Sequence, residues 1–260
     1  MRYLSWESNP VAVAWEDGLA VGFVSPEFKV LVVAPSHRHR GHGGRLVDAG
    51  LAIERERHRA NLLLGPPPSS EEALAFLQAT GFAYHSTVWA LGLAPERVVA
   101  PPSWPAGVLA RPFDRTRDVG TWVALFRQAF AEHPTPMQLD EAMVAQANED
   151  PAVEDADLLL LEDPADGGAL VGFCSTDPGR VNGTVGTTGE IWTIGVRPDR
   201  QGRGLGRQLL RWGTHRLRTL GVVEVTLSVN ARNEHALRLY EQEGFVRSGA
   251  RERWARPVSQ

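Results

Sequence analysis

The 260-residue sequence contains a single cysteine, Cys174, and a single lysine, Lys29. One cysteine excludes an intrachain disulfide framework and any metal cluster built on several thiolates. No apolar stretch reaches the roughly 18 residues of a membrane-spanning helix, and the N-terminus has no apolar core of the signal-peptide type. We therefore expect a soluble, cytoplasmic protein that has no membrane partner.

An excess of positive charge is also lacking. The 27 basic residues are outnumbered by 31 acidic ones, which gives a formal net charge of −4. A protein held to nucleic acid mainly by charge should be basic, so that partner is disfavoured. Hydrophobic residues make up 43 % of the chain and charged residues 22 %, which is typical of globular proteins. The length allows one large domain or two small ones.

The second half of the chain repeats the first. The segment from Glu27 to Phe82 aligns without a gap with the segment from Glu190 to Phe245, and 15 of the 56 positions are identical. Several of these identities are glycines, which chance would seldom keep in register. Upstream of the aligned segments, the second copy carries 13 additional residues. We conclude that one module is present twice.

A proline-rich stretch lies between the two copies. Three prolines within residues 101–105 stiffen it and prevent it from continuing a sheet. We predict a first module over residues 1–98, a linker over 99–107 and a second module over 108–260. The second module begins with a helical arm that has no counterpart before the first repeat. The first module is therefore truncated if Met1 is the start of the chain.

The second copy predicts a mixed α/β fold. Apolar runs at 158–161 and 170–174 flank a turn-rich segment and predict a hairpin. A strand over Ile191–Val196, a helix that ends at Gly221 and a strand over Val222–Val229 follow. A strand–helix–strand crossover implies a parallel strand pair inside an otherwise mixed sheet.

The most informative stretch joins the end of a predicted strand to the start of a helix. It runs from Val196 to Arg207 and has glycines at 202, 204 and 206. Closely spaced glycines let main-chain N–H groups converge, and a helix N-terminus adds unpaired N–H groups and a positive dipole end. This predicts a cradle for a pyrophosphate, assisted by Arg200, Arg203 and Arg207. The alternative is a glycine-rich turn that binds nothing. The stretch is neither a P-loop nor a good dinucleotide fingerprint.

Two motifs resemble the signatures of one enzyme family. Val196-x-Pro198-x-x-Gln201-x-x-Gly204-x-Gly206 is similar to the acetyl-CoA loop of the GNAT superfamily of acetyltransferases. Asn233-x-x-Ala236-x-x-x-Tyr240-x-x-x-Gly244-Phe245 resembles the second signature of that family. The resemblance covers residues 106–256, and a weaker version covers 1–93. The tandem arrangement resembles the two-module mycothiol synthase group, in which only the C-terminal module is thought to be catalytic.

The resemblance implies a fold and a cosubstrate. The fold is α/β, with two tandem GNAT-like modules, each a mixed sheet with a splayed parallel strand pair flanked by helices. The cosubstrate is acetyl-CoA, and the amide N–H of Val196 is expected near the thioester carbonyl. The residues expected to bind the coenzyme are Ile194, Val196, Arg200, Gln201, Gly202, Arg203, Gly204, Leu205, Gly206, Arg207, Asn230 and Asn233. A second coenzyme loop would use Val33, Arg38, Arg40, Gly41 and Gly43.

The same resemblance assigns catalytic roles. Glu190 is the expected base for the acceptor amine, directly or through water, and burial beside Trp192 would raise its pKa. Tyr240 is the expected acid that protonates the departing thiolate. The alternatives are a surface carboxylate at a strand start and an aromatic side chain in a helix core. His133 and Trp192 are assigned to the acceptor pocket, although a histidine before proline is more often simply exposed.

The first module lacks some of these side chains. Leu77 stands opposite Tyr240 and Pro67 stands opposite Asn230, although Glu27 is retained. We expect this module to be structural or to hold a nucleotide.

No metal site is predicted. His37, His39 and His42 have a spacing more typical of solvated loop residues than of a zinc site. Cys174 is expected to be a buried strand residue.

Three functions remain open at this point. The first is transfer of an acetyl group from acetyl-CoA to a primary amine of a small molecule, by direct attack in the C-terminal module. The second is an acyl-CoA-binding sensor or scaffold without turnover, and the third is a protein N-acetyltransferase. The sequence does not determine the acceptor, the acyl length or the oligomeric state. A monomer is plausible because the two modules can pack within one chain.

Overall fold

The chain divides differently from the predicted domain boundaries. The computed structural model describes residues 2–6, 9–67, 69–132, 139–150 and 153–258. It separates into two units: unit 1 is Met1–Val88 with Ala250–Gln260, and unit 2 is Trp89–Gly249. Residues 89–107 therefore belong to unit 2, because Leu91, Leu93 and Val99 are buried in its core.

Unit 1 begins with a four-stranded antiparallel sheet. Its strands, in spatial order, are β1 (Arg2–Trp6), β2 (Asn9–Glu16), β3 (Leu19–Ser25) and β4 (Val30–Val33). Helix α1 (His42–Glu56) packs on this sheet and buries Leu46 and Val47 in a core that includes Ala12 and Val24. Small side chains on the strands therefore allow the helix to lie close to the sheet.

The rest of unit 1 follows α1. It consists of β5 (Asn61–Leu64), α2 (Glu71–Ala79) and the first part of β6 (Ala83–Leu93). The last strand of the chain, β12 (Val246–Pro257), pairs antiparallel with β5, with Trp254 opposite Leu64. Ser70 caps α2 by accepting a hydrogen bond from the amide of Ala73.

Glu27 does not open a strand, although it aligns with Glu190. It lies in the tight turn between β3 and β4, where the amide of Lys29 donates to the carbonyl of Pro26 at 3.1 Å. The 13 additional residues of the second copy separate the corresponding strands, so the aligned glutamates occupy different local structures.

Unit 2 is a mixed sheet with helices on both faces. Its elements are β7 (Leu109–Pro112), α3 (Val119–Ala129), α4 (Glu141–Ala147), β8 (Leu158–Asp163), β9 (Ala169–Asp177), β10 (Thr188–Val196), α5 (Leu205–Thr219), β11 (Glu224–Asn230) and α6 (Glu234–Gln242). The sheet order is β6-β11-β10-β9-β8-β7. The predicted mixed α/β fold, the β8–β9 hairpin and the parallel β10–β11 pair are confirmed.

Two hydrophobic layers cover the sheet of unit 2. On one face, Leu209 and Leu217 of α5 pack with the strands. On the other face, Phe173 is fully buried against the helical arm, with ring centroids 6.2 Å from Trp122 and 5.8 Å from Phe126. Within the part of the chain that the structure describes, no helix has the length and apolar character needed to cross a bilayer.

We expect Gly195→Ala to destabilise unit 2. The new Cβ atom would lie 2.2 Å from a ring carbon of Phe173, and overpacking of this kind typically costs about 1–3 kcal/mol. Gly249→Ala is the matched control, because a Cβ atom at this strand glycine meets nothing within 4 Å. Urea unfolding followed by tryptophan fluorescence measures the free energy of unfolding. Equal values for the two variants would contradict the packing argument.

Candidate active site

A gap opens between the two parallel strands of unit 2. Hydrogen-bonded pairing of β10 with β11 covers Thr188–Ile191 and Glu224–Leu227. Both strands then continue, β10 to Val196 and β11 to Asn230. The strands therefore diverge after four paired residues, and the main chain of β10 has free hydrogen-bonding positions along this edge.

The amides of Ile194 and Val196 face this gap. On the other edge of β10, Val196 lies opposite Gly172 of β9, and the next amide, that of Arg197, donates to the carbonyl of Val171 at 3.0 Å. Because antiparallel strands alternate hydrogen-bonded and non-hydrogen-bonded pairs, the N–H groups of Val196 and Ile194 point away from β9. Both residues were predicted to bind the coenzyme.

The glycine loop lies at the wide end of the gap. Gly202 has φ +74° and Gly204 has φ +81°, a region that is accessible to glycine at little steric cost. Gly204 is the N-cap of α5 and provides no side-chain cap. The first N–H groups of α5, beginning at Leu205 and Gly206, are therefore available to an anion at the positive end of the helix dipole.

The three arginines of the loop have different partners. Arg200 pairs with the carboxylates of Asp163 and Asp166 at 2.9 and 3.1 Å. Arg207 pairs with Glu243. Arg203 reaches only the main-chain carbonyl of Asp199, at 3.4 Å, and it has no carboxylate partner among the described residues. Its charge is the one most available to a phosphate. The loop is also closed by the side chain of Gln201, which donates to the carbonyl of Val196 at 3.2 Å.

Tyr240 lies on α6, which is held in place at both ends. Asn233 caps the helix by accepting a hydrogen bond from the amide of Ala236 at 3.1 Å. At the other end, burial raises the pKa of Glu243, but hydrogen bonds from Arg211 and Arg207 outweigh this and hold that pKa below its ordinary value.

The hydroxyl of Tyr240 is in a desolvated environment. The side chain packs against the core of unit 2, and its ring centroid lies 6.3 Å from that of Phe245. Burial raises the pKa of the phenol above its ordinary value, and the nearby thiol of Cys174 adds to this effect. Cys174 itself is fully buried, as predicted. Tyr240 therefore keeps its proton at physiological pH.

Asn230 carries a buried donor that has no partner. The residue is only 5 % exposed. Its side-chain oxygen accepts a hydrogen bond from the amide of Arg232 at 3.0 Å, whereas its Nδ2 atom has no hydrogen-bond partner among the residues that the structure describes. A buried N–H group without an acceptor is unfavourable by about 1–3 kcal/mol. Its position at the end of β11 fits a residue that donates to a ligand in the gap.

Glu190 lies at the narrow end of the gap. It is half-buried on β10, opposite Thr226 of β11, and the hydroxyl of Ser228 donates to its carboxylate at 3.5 Å. We expected Trp192 to bury Glu190, but it does not. A register shift between Ile191 and Thr193 marks a bulge, and the intervening Trp192 is 66 % exposed.

The remaining acceptor-pocket prediction, His133, lies outside the described residues. Two polar residues that the sequence analysis did not single out, Thr226 and Ser228, lie beside Glu190. Further along β10, Thr193 carries a buried hydroxyl that has no hydrogen-bond partner in the described part of the chain. A usable signal was the polar side chain at every second position of an otherwise apolar strand, at 226, 228 and 230.

The loop of unit 1 has the same backbone but different side-chain partners. Gly41 is the N-cap of α1 with φ +81°, the value found at the corresponding glycine of unit 2. Arg38 pairs with Glu72 at 2.8 Å, and Arg40 pairs with Glu16 at 3.3 Å. The charges predicted to assist a second coenzyme site are thus shared with carboxylates.

One of the loop histidines differs from expectation. His42 is buried, and its Nε2 atom lies 2.9 Å from a carboxylate oxygen of Glu16. His42 is the first residue of α1, and its side chain is buried against Glu16, the last residue of β2. Among the described residues, no group of three or more His, Cys, Asp or Glu is arranged to hold a metal ion.

Comparison with known proteins identifies the family. Residues 122–245 match the model of the acetyltransferase (GNAT) family. The mycothiol acetyltransferase of Thermobispora bispora is 34 % identical over 218 residues, which cover 84 % of this chain and 72 % of that protein. The chain belongs to the GNAT family of acetyltransferases. It is an acetyl-CoA-dependent N-acetyltransferase of the tandem type.

Further GNAT relatives agree in sequence and in fold. The mycothiol acetyltransferase of Streptomyces coelicolor is 33 % identical over 224 residues, with 86 % of this chain and 69 % of that protein covered. A GCN5-related N-acetyltransferase from Sphaerobacter thermophilus superposes with a TM-score of 0.65 at 25 % identity, over 94 % of this chain and 79 % of its own. A tandem GNAT protein of the clavulanic acid biosynthesis pathway shares the fold, with a TM-score of 0.67 at 18 % identity, over 96 % and 83 %.

We expect Arg203→Gln to weaken coenzyme binding by unit 2. A hydrogen bond to a charged group contributes about 1.5–3 kcal/mol, so the Kd should rise about tenfold or more. Arg238→Gln is the matched control, because Arg238 is exposed on α6 and pairs with Glu234. Calorimetric titration with CoA measures both variants. A wild-type Kd for Arg203→Gln would contradict the assignment.

Proposed function

We propose that unit 2 transfers the acetyl group of acetyl-CoA to a primary amine of a small-molecule acceptor by direct attack. The observation that carries this proposal is the gap between β10 and β11, which has Glu190 at its narrow end and main-chain donors along its edge. The relatives named mycothiol acetyltransferase support a small-molecule acceptor.

The residues of the gap fit an extended amide-containing ligand. The N–H groups of Ile194 and Val196 can pair with it as an added strand would, which is a common mode of recognition. The unpartnered Nδ2 atom of Asn230 supplies a further donor. At the wide end, the N–H groups of the glycine loop and the guanidinium of Arg203 hold the diphosphate. The coenzyme supplies an acetyl group activated as a thioester.

The oxyanion would be stabilised by a main-chain donor of β10. The amide of Val196 was predicted for this role, and both it and the amide of Ile194 face the gap. A well-placed N–H group at a developing oxyanion contributes about 2.7–4 kcal/mol. These donors are fixed by the pairing of β10 with β9, so they require no rearrangement during the reaction.

Glu190 is the proposed base. An alkyl amine has a pKa of about 10 and arrives protonated at neutral pH. The half-buried carboxylate accepts that proton, directly or through a water molecule. Ser228, which donates to the same carboxylate, orients it. Trp192 contributes an exposed aromatic surface beside this position, where it can contact the acceptor.

Tyr240 is the proposed acid. It retains its proton because its pKa is raised by burial, and it delivers that proton to the thiolate as the C–S bond breaks. The ion pairs of Glu243 with Arg207 and Arg211 hold α6 against α5, which fixes the position of the phenol.

Unit 1 is proposed to be non-catalytic. Leu77 occupies the position of Tyr240, and it is buried in the core. Glu27, the counterpart of the base, is held in a turn by ion pairs with Arg57 and Arg59 at 3.2 and 3.6 Å. Neither proton-transfer group is therefore present in a usable form.

We expect Tyr240→Phe to lower kcat by about 100-fold, because general acid catalysis contributes about 10²–10⁴. Coenzyme affinity should not change, since the ring and its packing remain. Glu190→Gln should lower kcat/KM by a similar factor. Tyr84→Phe is the control for the first variant, because Tyr84 is exposed in unit 1. Release of CoA thiol in the presence of small primary amines measures all three, and an unchanged rate for Tyr240→Phe would disprove its role.

The same assay separates the alternative functions. Acetylation of small primary amines supports the proposed function. A protein that binds acetyl-CoA but acetylates neither small amines nor peptide N-termini is a sensor or scaffold. Faster acetylation of peptides than of every small amine would instead establish a protein N-acetyltransferase.

The pH dependence of the rate follows from the raised pKa of Tyr240. A general acid stops acting when it loses its proton, and burial moves that loss above the ordinary tyrosine value of about 10. We therefore expect the rate to rise with pH as the acceptor amine is deprotonated. The rate should show no decline at any pH up to 10. Initial rates between pH 6 and 10 check this, and a decline near pH 8 that is absent in Tyr240→Phe would contradict it.

A further inference from the structure

A cluster of charged side chains lies in unit 1 where β4 and β5 begin to diverge. The amide of Gly65, directly after β5, donates to the carbonyl of Lys29, directly before β4, at 2.8 Å. The two strands belong to different sheets. In the repeat alignment Lys29 and Gly65 correspond to the positions directly after the last paired residues of β10 and β11, so they mark the narrow end of the corresponding gap in unit 1.

The two carboxylates of the cluster are shared by two arginines. Glu27 lies 3.2 Å from Arg57 and 3.6 Å from Arg59. Glu54, which is buried, lies 3.9 Å from Arg57 and 3.5 Å from Arg59. These four side chains form a group with two positive and two negative charges. Both carboxylates are therefore already engaged in direct ion pairs with arginines.

Those remaining cations are Lys29 and Arg253. The Lys29 ammonium donates to the main-chain carbonyl of Glu27 at 3.0 Å, and the guanidinium of Arg253 reaches the carbonyl of Glu252 at 3.5 Å. Burial lowers the pKa of both groups. At Lys29 the nearby carboxylate of Glu27 raises the pKa against this effect, and the charge of Arg253 lowers it further. Neither of these two partly buried cations forms a direct ion pair with a carboxylate among the described residues, whose nearest acids, Glu27 and Glu54, pair with Arg57 and Arg59.

Arg253 extends over the backbone of Gly65. A Cβ atom built on Gly65 would lie 2.5 Å from Nη1 of Arg253. This agrees with the strand register, because Trp254 lies opposite Leu64. The absence of a side chain at position 65 therefore allows the guanidinium to reach the narrow end of the gap.

The same positions in unit 2 adjoin the proposed base. In the repeat alignment Lys29 corresponds to Trp192 and Gly65 corresponds to Ser228, which contacts Glu190. Lys29 and Arg253 thus lie at the end of the unit 1 gap that corresponds to the proposed amine-binding end of the unit 2 gap. A protonated amine would be repelled there, whereas an anion would be attracted.

We propose that unit 1 binds a carboxylate at Lys29 and Arg253. The planar fork of a guanidinium matches the two oxygens of a carboxylate, and the ammonium supplies a second charge. The carboxylate could belong to a free dicarboxylic acid or to an acyl thioester whose chain ends in a carboxylate. The proposal does not depend on acetyl transfer by unit 2.

The experiment is calorimetric titration of the full chain with succinate at low ionic strength. We expect saturable binding by the wild type and a Kd at least tenfold higher for Lys29→Asn and for Arg253→Gln. Asparagine is chosen because Lys29 has φ +57°, a conformation that asparagine tolerates. Arg253→Lys should retain part of the affinity, and Arg55→Gln, an exposed cation on α1, should bind like the wild type.

Gly65→Ala tests the geometry without removing a charge. The new methyl group would chiefly displace the end of the Arg253 side chain, and its contact with the carbonyl oxygen of Glu252 at 3.3 Å needs a shift of only a few tenths of an ångström. The fold should therefore persist while succinate binding weakens. Circular dichroism and CoA binding by unit 2 show that each variant is folded.

The source of the carboxylate is distinguished by a second titration. A preference for succinyl-CoA over acetyl-CoA that Arg253→Gln abolishes identifies a thioester, whereas succinate binding without that preference identifies a free acid. The proposal is overturned if the wild type binds neither form, or if Lys29→Asn, Arg253→Gln and Gly65→Ala all bind like the wild type. Equally tight binding of phosphate would overturn its specificity for a carboxylate.

Discussion

The short parallel pairing of β10 with β11 is the constraint on which the site depends. Four residues of each strand are paired, and the strands then continue without each other. A parallel pair that remained closed would satisfy the amides of Ile194 and Val196 within the sheet. Because it opens, those amides are not paired with β11. The glycine loop and the N-terminus of α5 follow directly from the end of β10, and the proposed reaction requires the phenol of Tyr240 at the same opening.

Much of this arrangement could be predicted from local sequence. The alternation of apolar runs, turn residues and helix caps indicated the β8–β9 hairpin and the parallel pair, since these depend on neighbouring residues. Asn233 caps α6 as its position before an amphipathic segment indicated. The glycine spacing indicated a tight turn from strand to helix, and Gly204 forms the left-handed N-cap there, a conformation that glycine adopts readily.

Other features depended on contacts between distant residues and could not be predicted. Arg200 was expected to face a phosphate, but the turn after β8 brings Asp163 and Asp166 to its guanidinium. Trp192 was expected to bury the base, but a bulge turns it towards solvent. The predicted boundary near residue 98 also failed to anticipate that β6 continues into unit 2. In each case the deciding partner lies far away in the sequence.

The division of β12 between the two units has a consequence for biosynthesis. Residues 254–257 pair with β5, yet the ribosome makes them only after the whole of unit 2. Domains usually fold in the order in which they emerge during translation. Unit 1 therefore cannot complete the pairing of β5 with β12 until the residues that follow unit 2 have been synthesised. Expression of residues 1–88 alone would therefore leave β5 without the strand that pairs with it in the complete chain.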